Sequence, residues 1–182
     1  MKGREGMNLQ EEDGMTSYER VMKTLEGKQA DRVPVIPIVR EWCSKQSGID
    51  FFEEMNNVEM HVFAQFFCVR QFGYDGVWDL QGVHAESEAM GSSLKIRENF
   101  PPTVADFAVK NYETDLPKLK ILNPYTSGRL PKILEGTRRL KELCKDRIAV
   151  IGYVQAPLRH ASMLRGSENV MKDMHKNKEN IK

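Results

Sequence analysis

The stretch FGYDGVWDL, residues 72–80, contains the change of local structure on which the fold depends. Apolar side chains recur over residues 51–72 and predict a long buried helix, which Gly73 and Tyr74 end. Residues 75–80 then predict a short strand with an acid, Asp79, near its carboxyl end. A helix that leads directly into a strand is the repeating unit of α/β proteins.

Outward from this stretch, helices and strands alternate along most of the chain. Residues 16–19, TSYE, have the form of a capping box at the start of a short helix that Gly27 ends. Residues 33–39, VPVIPIV, predict a buried strand, short or edge-like at its beginning because of the two prolines. Further elements are predicted as a possible strand at 93–96 within a loop-rich excursion over 81–129, a helix over 130–143, a strand over 147–153 and a helix over 158–175.

This order predicts parallel strands joined by right-handed crossovers. The chain has about three strand–helix units after an N-terminal helix. Such a series is the beginning of either a doubly wound sheet or a (β/α)8 barrel. No G-x-G-x-x-G follows the first strand and no Walker motif occurs, which disfavours the nucleotide-binding sheets. A complete barrel takes roughly 250 residues, whereas this chain has 182. We therefore predict an α/β fold, the N-terminal part of a (β/α)8 barrel, incomplete as it stands.

Composition excludes several classes of protein. The 27 basic and 26 acidic side chains leave a net charge of +1, which argues against a basic surface for nucleic acid. No stretch approaches the ~18 uninterrupted apolar residues of a membrane span. Residues 1–14 lack the apolar core of a signal peptide and are predicted as a disordered leader, with one domain over 15–182. We expect a cytoplasmic protein that binds neither nucleic acid nor a membrane.

The cysteines and histidines form no local metal motif, since CxxC, HExxH and close Cys/His pairs are all missing from the sequence. Cys43, Cys68 and Cys144 lie far apart, as in a reduced intracellular protein, and are interpreted as buried, inert thiols. His61 and His175 fall on predicted helices and receive no special role. No metal ligand is predicted.

Two candidate site residues follow the first two predicted strands. Asp79 and Arg40 lie at the carboxyl ends of these strands, where barrel enzymes place catalytic groups. An ionised Asp79 accepts several hydrogen bonds and is the predicted catalytic residue, with capping of the following loop as the alternative. The Arg40 guanidinium is predicted to bind a carboxylate or phosphate of the substrate, and a salt bridge to Glu41 or Asp79 is the alternative.

Four more substrate-binding candidates come from later in the chain. His84 and Glu86 lie just beyond Asp79 and are suited to placing polar groups or moving protons. The alternative is that Glu86 and Glu88 decorate a surface turn. Arg159 and His160 begin the helix after the third strand, and a helix N-terminus favours anions, although a solvent-exposed cap is an equally good interpretation.

Five segments in fixed order carry a resemblance to a known family. They are MTSYERVMKTLEGKQADRVPVIP, FGYDGVWD, HAESEAMG, GRLPKILEG and VIGYVQAPLRHASMLRGSENVMKDM, which together span residues 15–174. This series resembles the uroporphyrinogen decarboxylase superfamily. The superfamily contains uroporphyrinogen decarboxylases and corrinoid-linked methyltransferases that pass a methyl group from methylcobamide to a thiol such as coenzyme M. The resemblance implies a shared (β/α)8 barrel.

The resemblance is closer to the methyltransferase branch. HAESEAMG is similar to the A-E-A-E-A-L-G of that branch. Decarboxylases have two arginines that flank Q-A-G; Arg40 matches the first, and no residue of this chain matches the second. Decarboxylases also have a tyrosine where this chain has Ser162 and Met163. The resemblance also matches Asp79 to the decarboxylase aspartate that holds the pyrrole N–H groups. Because the second arginine and the tyrosine are missing, the resemblance as a whole implies a methyltransferase-like member, with uroporphyrinogen decarboxylase of tetrapyrrole biosynthesis as the alternative.

Cofactors and partners follow from the same resemblance. The methyltransferase branch implies a corrinoid, free or on a corrinoid protein, and a zinc ion that activates the acceptor thiolate. The zinc ligands of that branch, a His-x-Cys and a distant Cys, belong to the second half of its barrel, so no cofactor is expected within this chain. A decarboxylase would need none.

A non-catalytic half-barrel that binds a partner is the alternative of another class. Open strand edges and an exposed apolar inner face would favour self-association or pairing with a missing C-terminal half. We expect the isolated chain to show no turnover in either a methyl-transfer or a decarboxylation assay.

Overall fold

The computed structural model describes residues 14–79, 82–97 and 100–176, so the predicted leader lies outside it except for Gly14. The chain forms two compact units, one with residues up to Asp79 and Gly136–Gly152, the other with Leu80–Glu135 and the residues from Tyr153. Within the described ranges, no helix combines the length and apolar character needed to cross a bilayer. In chain order the elements are α1 (Ser17–Leu25), α2 (Arg40–Ser47), α3 (Phe51–Asn56), α4 (Val58–Phe72), β1 (Gly76–Trp78), α5 (Ala85–Ala89), β2 (Ser93–Arg97), β3 (Phe100–Asp106), α6 (Tyr112–Asp115), a 3₁₀ turn (Leu116–Lys118), α7 (Leu130–Cys144), β4 (Ala149–Ile151), α8 (Pro157–Arg165) and α9 (Ser167–Lys176).

The sheet of the first unit confirms the parallel pairing expected from the sequence. Strands β1 and β4 run parallel, with Val77 opposite Val150 at the centre of the register. Helix α1 begins with the predicted capping box, because the Glu19 amide donates to Thr16 Oγ1 at 3.1 Å and the Thr16 amide donates to Glu19 Oε2 at 2.9 Å. The start of α1 and the two strands of this sheet were thus predictable from local sequence.

The prediction of a buried strand at residues 33–39 is wrong. This segment is extended but forms no strand, and Val33 and Ile38 are 82% and 66% exposed. It runs beside β1 through one backbone hydrogen bond, from the Asp75 amide to the Val35 carbonyl at 2.7 Å. Pro34 and Pro37 have no amide hydrogen to donate, so a continuous ladder cannot form here.

The core of the first unit is built on α4. Its buried apolar residues pack with Val77 of β1 and Leu140 of α7. The three cysteines are free and fully buried, as predicted. Burial raises the pKa of Cys144 to about 12, which keeps this thiol protonated and unreactive at neutral pH.

Two predicted long helices are each divided by a residue that the apolar pattern does not reveal. The helix expected over 51–72 breaks at Asn57, whose side chain accepts from the Glu59 amide at 2.9 Å and so caps α4. The helix expected over 158–175 breaks at Gly166, which has a φ of +88° and closely approaches the Phe107 ring.

The second unit contains a hairpin, of which only the first strand was predicted from the sequence. Strand β2 confirms the strand expected at 93–96, and it pairs antiparallel with β3. The residues of β3 include Pro101 and Pro102, which favour a turn, but a two-stranded hairpin has free edges where a missing amide hydrogen is tolerated. In the same unit, Tyr112 donates to Asp173 of α9 at 2.8 Å, with the Arg165 guanidinium over its ring.

A buried aspartate anchors the amino end of β1. Asp75 is 0% exposed, and its carboxylate binds two arginines. Burial alone would raise the pKa of Asp75, but these ion pairs and the hydrogen bonds from neutral donors outweigh burial and lower it. The donors are Ser17 Oγ at 2.9 Å, Arg20 Nη1 at 2.6 Å, Arg32 Nη1 at 2.6 Å and the Val35 amide at 2.7 Å.

We expect Asp75→Asn to lower the free energy of unfolding by roughly 3 kcal/mol, because the buried Arg20 loses a charged partner. Urea denaturation followed by circular dichroism measures this change. The matched control is Asp146→Asn, which removes the 84% exposed partner of Lys141 and should cost far less. Equal losses in the two variants would contradict the anchoring role of Asp75.

Candidate functional site

Asp79 lies directly after β1 and is 3% exposed. Its amide donates to the Ile151 carbonyl at 3.1 Å, which extends the β1–β4 pairing by one residue. Its carboxylate has neighbours on both oxygens, since Oδ1 is 3.2 Å from His61 Nε2 and Oδ2 accepts the hydroxyl of Thr137 on α7. The predicted catalytic residue therefore sits where the sequence placed it, at the carboxyl end of a strand, but its carboxylate is enclosed.

His61 connects Asp79 to a second buried carboxylate. The imidazole is 2% exposed, and its Nδ1 lies 3.0 Å from Glu54 Oε1. Glu54, on α3 and 3% exposed, also accepts from Gln65 Nε2 at 3.1 Å and from the hydroxyl of Ser44. We call Glu54, His61 and Asp79 the histidine cluster.

Sequence reasoning gave His61 no special role, yet the structure places it between two carboxylates. A signal was present, because a glutamate and a histidine seven residues apart interrupt an otherwise apolar helical stripe. Their pairing was concealed by the unrecognised break at Asn57, which places Glu54 and His61 on different helices.

The histidine cluster favours a charged imidazole. Burial alone would lower the pKa of His61, but the adjacent Asp79 and Glu54 carboxylates outweigh it and raise the pKa of His61 to about 9. The histidine cluster therefore holds two acidic side chains and one basic side chain in contact.

Arg40 begins α2, and its guanidinium lies 3.1 Å from the Glu41 carboxylate. This ion pair is one of the two alternatives considered for Arg40 from the sequence. Its Nε is buried and has no hydrogen-bond acceptor within the described part of the chain. A ligand carboxylate, carbonyl or phosphate could accept this hydrogen bond, so a binding role for Arg40 stays a prediction.

The second unit contains the other predicted residues on two helices that pack against each other. His84 occupies the N-cap position of α5 without a side-chain capping hydrogen bond, and Glu86 lies in the first turn of that helix, while Arg159 and His160 lie in the first turn of α8. Gln155 reinforces this packing by donating to the Val83 carbonyl.

Glu86 and His160 differ from Arg159 and Glu88 in their surroundings. Glu86 Oε2 and His160 Nε2 are buried, and neither has a hydrogen-bond partner within residues 14–79, 82–97 and 100–176. Arg159 is exposed, and Glu88 pairs with Arg129 at 2.7 Å. Buried polar atoms normally find a partner, so Glu86 and His160 are the residues of this unit best suited to meet a ligand.

The described residues do not suit the zinc ion that the methyltransferase resemblance implies. In this part of the chain, no group of three or more His, Cys, Asp or Glu side chains is placed to hold a metal. The histidine cluster shows why, because its two carboxylates bind opposite nitrogens of one ring and cannot converge on a single ion. The buried thiols of Cys43 and Cys144 are held in the protonated form, which binds metals poorly.

The raised pKa of His61 makes one contribution to stability pH-dependent. In the unfolded chain a histidine titrates near pH 6.5. The stabilisation of the folded chain by protonated His61 is therefore complete below pH 6.5 and is lost as the pH rises through about 9. We expect the difference in unfolding free energy between the native chain and His61→Gln to shrink by about 1–3 kcal/mol over this range. His175→Gln, on an exposed residue of α9, is the control. A difference that does not change with pH would contradict the charged imidazole.

Comparison with known proteins identifies the fold. A solved methyltransferase from Methanosarcina mazei is similar to this chain, with a TM-score of 0.79 and 22% sequence identity. The similarity covers 91% of this chain and 50% of that chain, so this chain spans about half the length of its structural neighbour. The likeness confirms the predicted fold class, an α/β part of a (β/α)8 barrel.

Sequence comparison identifies the family. No curated protein matches the chain significantly. The family model for uroporphyrinogen decarboxylase (URO-D) matches residues 16–182, which is nearly the whole chain. The chain belongs to the uroporphyrinogen decarboxylase family.

Proposed function

We propose that this chain works as part of an enzyme that transfers a methyl group between a corrinoid and a thiol acceptor. The observation that carries the proposal is the pair of buried polar atoms, Glu86 Oε2 and His160 Nε2, that have no hydrogen-bond partner within the described residues. They lie on the packed helices α5 and α8, and both belong to residues predicted from the sequence to bind substrate.

The chemistry of a corrinoid suits these two atoms. The edge of a corrin ring bears carboxamide groups, each with N–H donors and a carbonyl acceptor. Glu86 Oε2 would accept from a carboxamide N–H, and His160 Nε2 would donate to the carbonyl or accept from the N–H according to its tautomer. His84 and Arg159 begin the same two helices and would contact the ligand nearby.

Features of the first unit argue against a substrate that carries many carboxylates, such as uroporphyrinogen. The positive charge of Arg40 is offset by Glu41, and the histidine cluster contains two acids and one base. Asp79, the residue matched to the pyrrole-binding aspartate, already contacts His61 and Thr137. Uroporphyrinogen decarboxylation stays the alternative within the family.

The name of the structural neighbour agrees with methyl transfer, although the likeness in itself concerns the fold. A zinc ion for the acceptor thiolate would have to be held by residues outside those described, since these contain no suitable group of ligands. We therefore assign recognition of the corrinoid to this chain and assign no step of the reaction to a metal within it.

A partner-binding role, by self-association or by pairing with a separate C-terminal half, is the second candidate. It is supported by the exposed apolar side chains of Val33, Val35 and Ile38, which lie on the non-helical segment before α2 in the first unit. Such a segment is suited to burial against another chain.

We expect methylcobalamin to bind the 182-residue chain, and the double variant Glu86→Gln/His160→Gln to weaken this binding about tenfold. Isothermal titration calorimetry measures both affinities. The matched control is Glu88→Gln/His175→Gln, which changes the same residue types at an ion-paired and an exposed position.

Uroporphyrin, an octacarboxylate tetrapyrrole, serves as the competing probe in the same titration. Tighter binding of uroporphyrin than of methylcobalamin would support the decarboxylase alternative over the proposal. No binding of methylcobalamin, or equal losses in the double variant and its control, would contradict the assigned site.

A further inference from the structure

We propose that Glu86 is a specificity-determining residue, which makes the site on α5 and α8 select ligand carboxamides and reject ligand carboxylates. The inference rests on the proposed function, because it concerns the ligand proposed for the same site. It deepens that function by naming the charge and the hydrogen-bonding groups that the ligand must bring. All the residues involved belong to the second unit.

The amino ends of α5 and α8 are held side by side. Val83 lies two residues before the first residue of α5, and Gln155 lies two residues before the first residue of α8. The side-chain amide of Gln155 donates to the Val83 carbonyl, and the two helices pack against each other. Glu86 in the first turn of α5 and His160 in the first turn of α8 therefore belong to the same end of this helix pair.

The carboxylate of Glu86 has no cation to balance its charge. Within residues 14–79, 82–97 and 100–176 it forms no ion pair, and its buried Oε2 has no hydrogen-bond donor. Glu88 on the same helix differs, because Arg129 pairs with it at 2.7 Å. Arg159 at the start of α8 is exposed to solvent. An unbalanced carboxylate accepts hydrogen bonds and repels a second carboxylate placed beside it.

The start of α8 has the opposite preference. Its N-cap residue is Ala156, which has no side-chain acceptor for the amides of Leu158 and Arg159. These amides and the helix dipole give the amino end of α8 a partial positive charge. A ligand carbonyl oxygen is stabilised at such an end. The buried Nε2 of His160 can donate to the same kind of oxygen when it carries the proton.

A carboxamide offers a suitable group to each of these two parts. Its NH2 group donates to Glu86 Oε2, and its carbonyl oxygen accepts from the start of α8 or from His160. A carboxylate of the same shape has an oxygen in place of the NH2 group. It would bring a second negative charge to Glu86 and no donor. Unfavourable pairs of this kind are one means by which binding sites exclude competing ligands.

The test compares two corrinoids that differ in the groups at the edge of the ring. Dicyanocobinamide bears carboxamides there, and dicyanocobyrinic acid bears carboxylates at pH 7. Both compounds are strongly coloured, so equilibrium dialysis against the 182-residue chain with absorbance detection gives both dissociation constants. The selectivity is the dissociation constant of the acid divided by that of the amide.

We expect the native chain to prefer the amide at least about tenfold. Glu86→Gln keeps the size of the side chain but removes its charge, so it should tighten binding of the acid and lower the selectivity at least about fivefold. Glu86→Asp keeps the charge and should retain most of the selectivity, which a residue needed only for folding would not do. The control Glu113→Gln removes one negative charge at an exposed position of α6 in the same unit and should leave the selectivity unchanged.

Equal binding of the amide and the acid by the native chain would overturn the role of Glu86 but leave a corrinoid site in place. The same selectivity in the native chain and in Glu86→Gln would do so too. The native chain is compared without any variant, so a lack of selectivity overturns the inference even if Glu86→Gln does not fold. Binding of neither corrinoid would instead show that the proposed function fails, and the inference with it.

Discussion

Strand β1 depends on a buried carboxylate at each of its ends. The strand has three residues, so its ladder with β4 supplies few hydrogen bonds. Asp75 holds the amino end to α1 and to the extended segment before α2, while Asp79 holds the carboxyl end to α4 and α7. The positions of these helices around the strand follow from the two carboxylates, because each one must find partners in the interior.

The two carboxylates are satisfied in chemically different ways. Asp75 is paired with arginines, which stay charged at every physiological pH, and its role is to hold the fold. Asp79 is paired with a histidine, whose charge can change within a moderately alkaline range. The partner of the carboxyl end therefore titrates in an accessible pH range, whereas the partners of the amino end do not.

Local sequence was sufficient where a single segment determines the structure. The capping box of α1, strand β1 and helix α7 were predicted correctly because their signals lie within a few residues. The β-branched residues at 33–39 wrongly predicted a strand, because Pro34 and Pro37 have no amide hydrogen to donate to a neighbouring strand. The histidine cluster could not be derived from periodicity, since its members come from three separate elements that only the folded chain brings together.

Nuclear magnetic resonance directly observes the charge of the imidazole that lies between Glu54 and Asp79. Long-range ¹H–¹⁵N spectra distinguish a doubly protonated ring from either neutral tautomer. We expect both nitrogens of His61 to carry protons at about pH 8, above the ordinary range for histidine. A neutral His61 at that pH would contradict the charged cluster, because Asp79 would then have no charged partner.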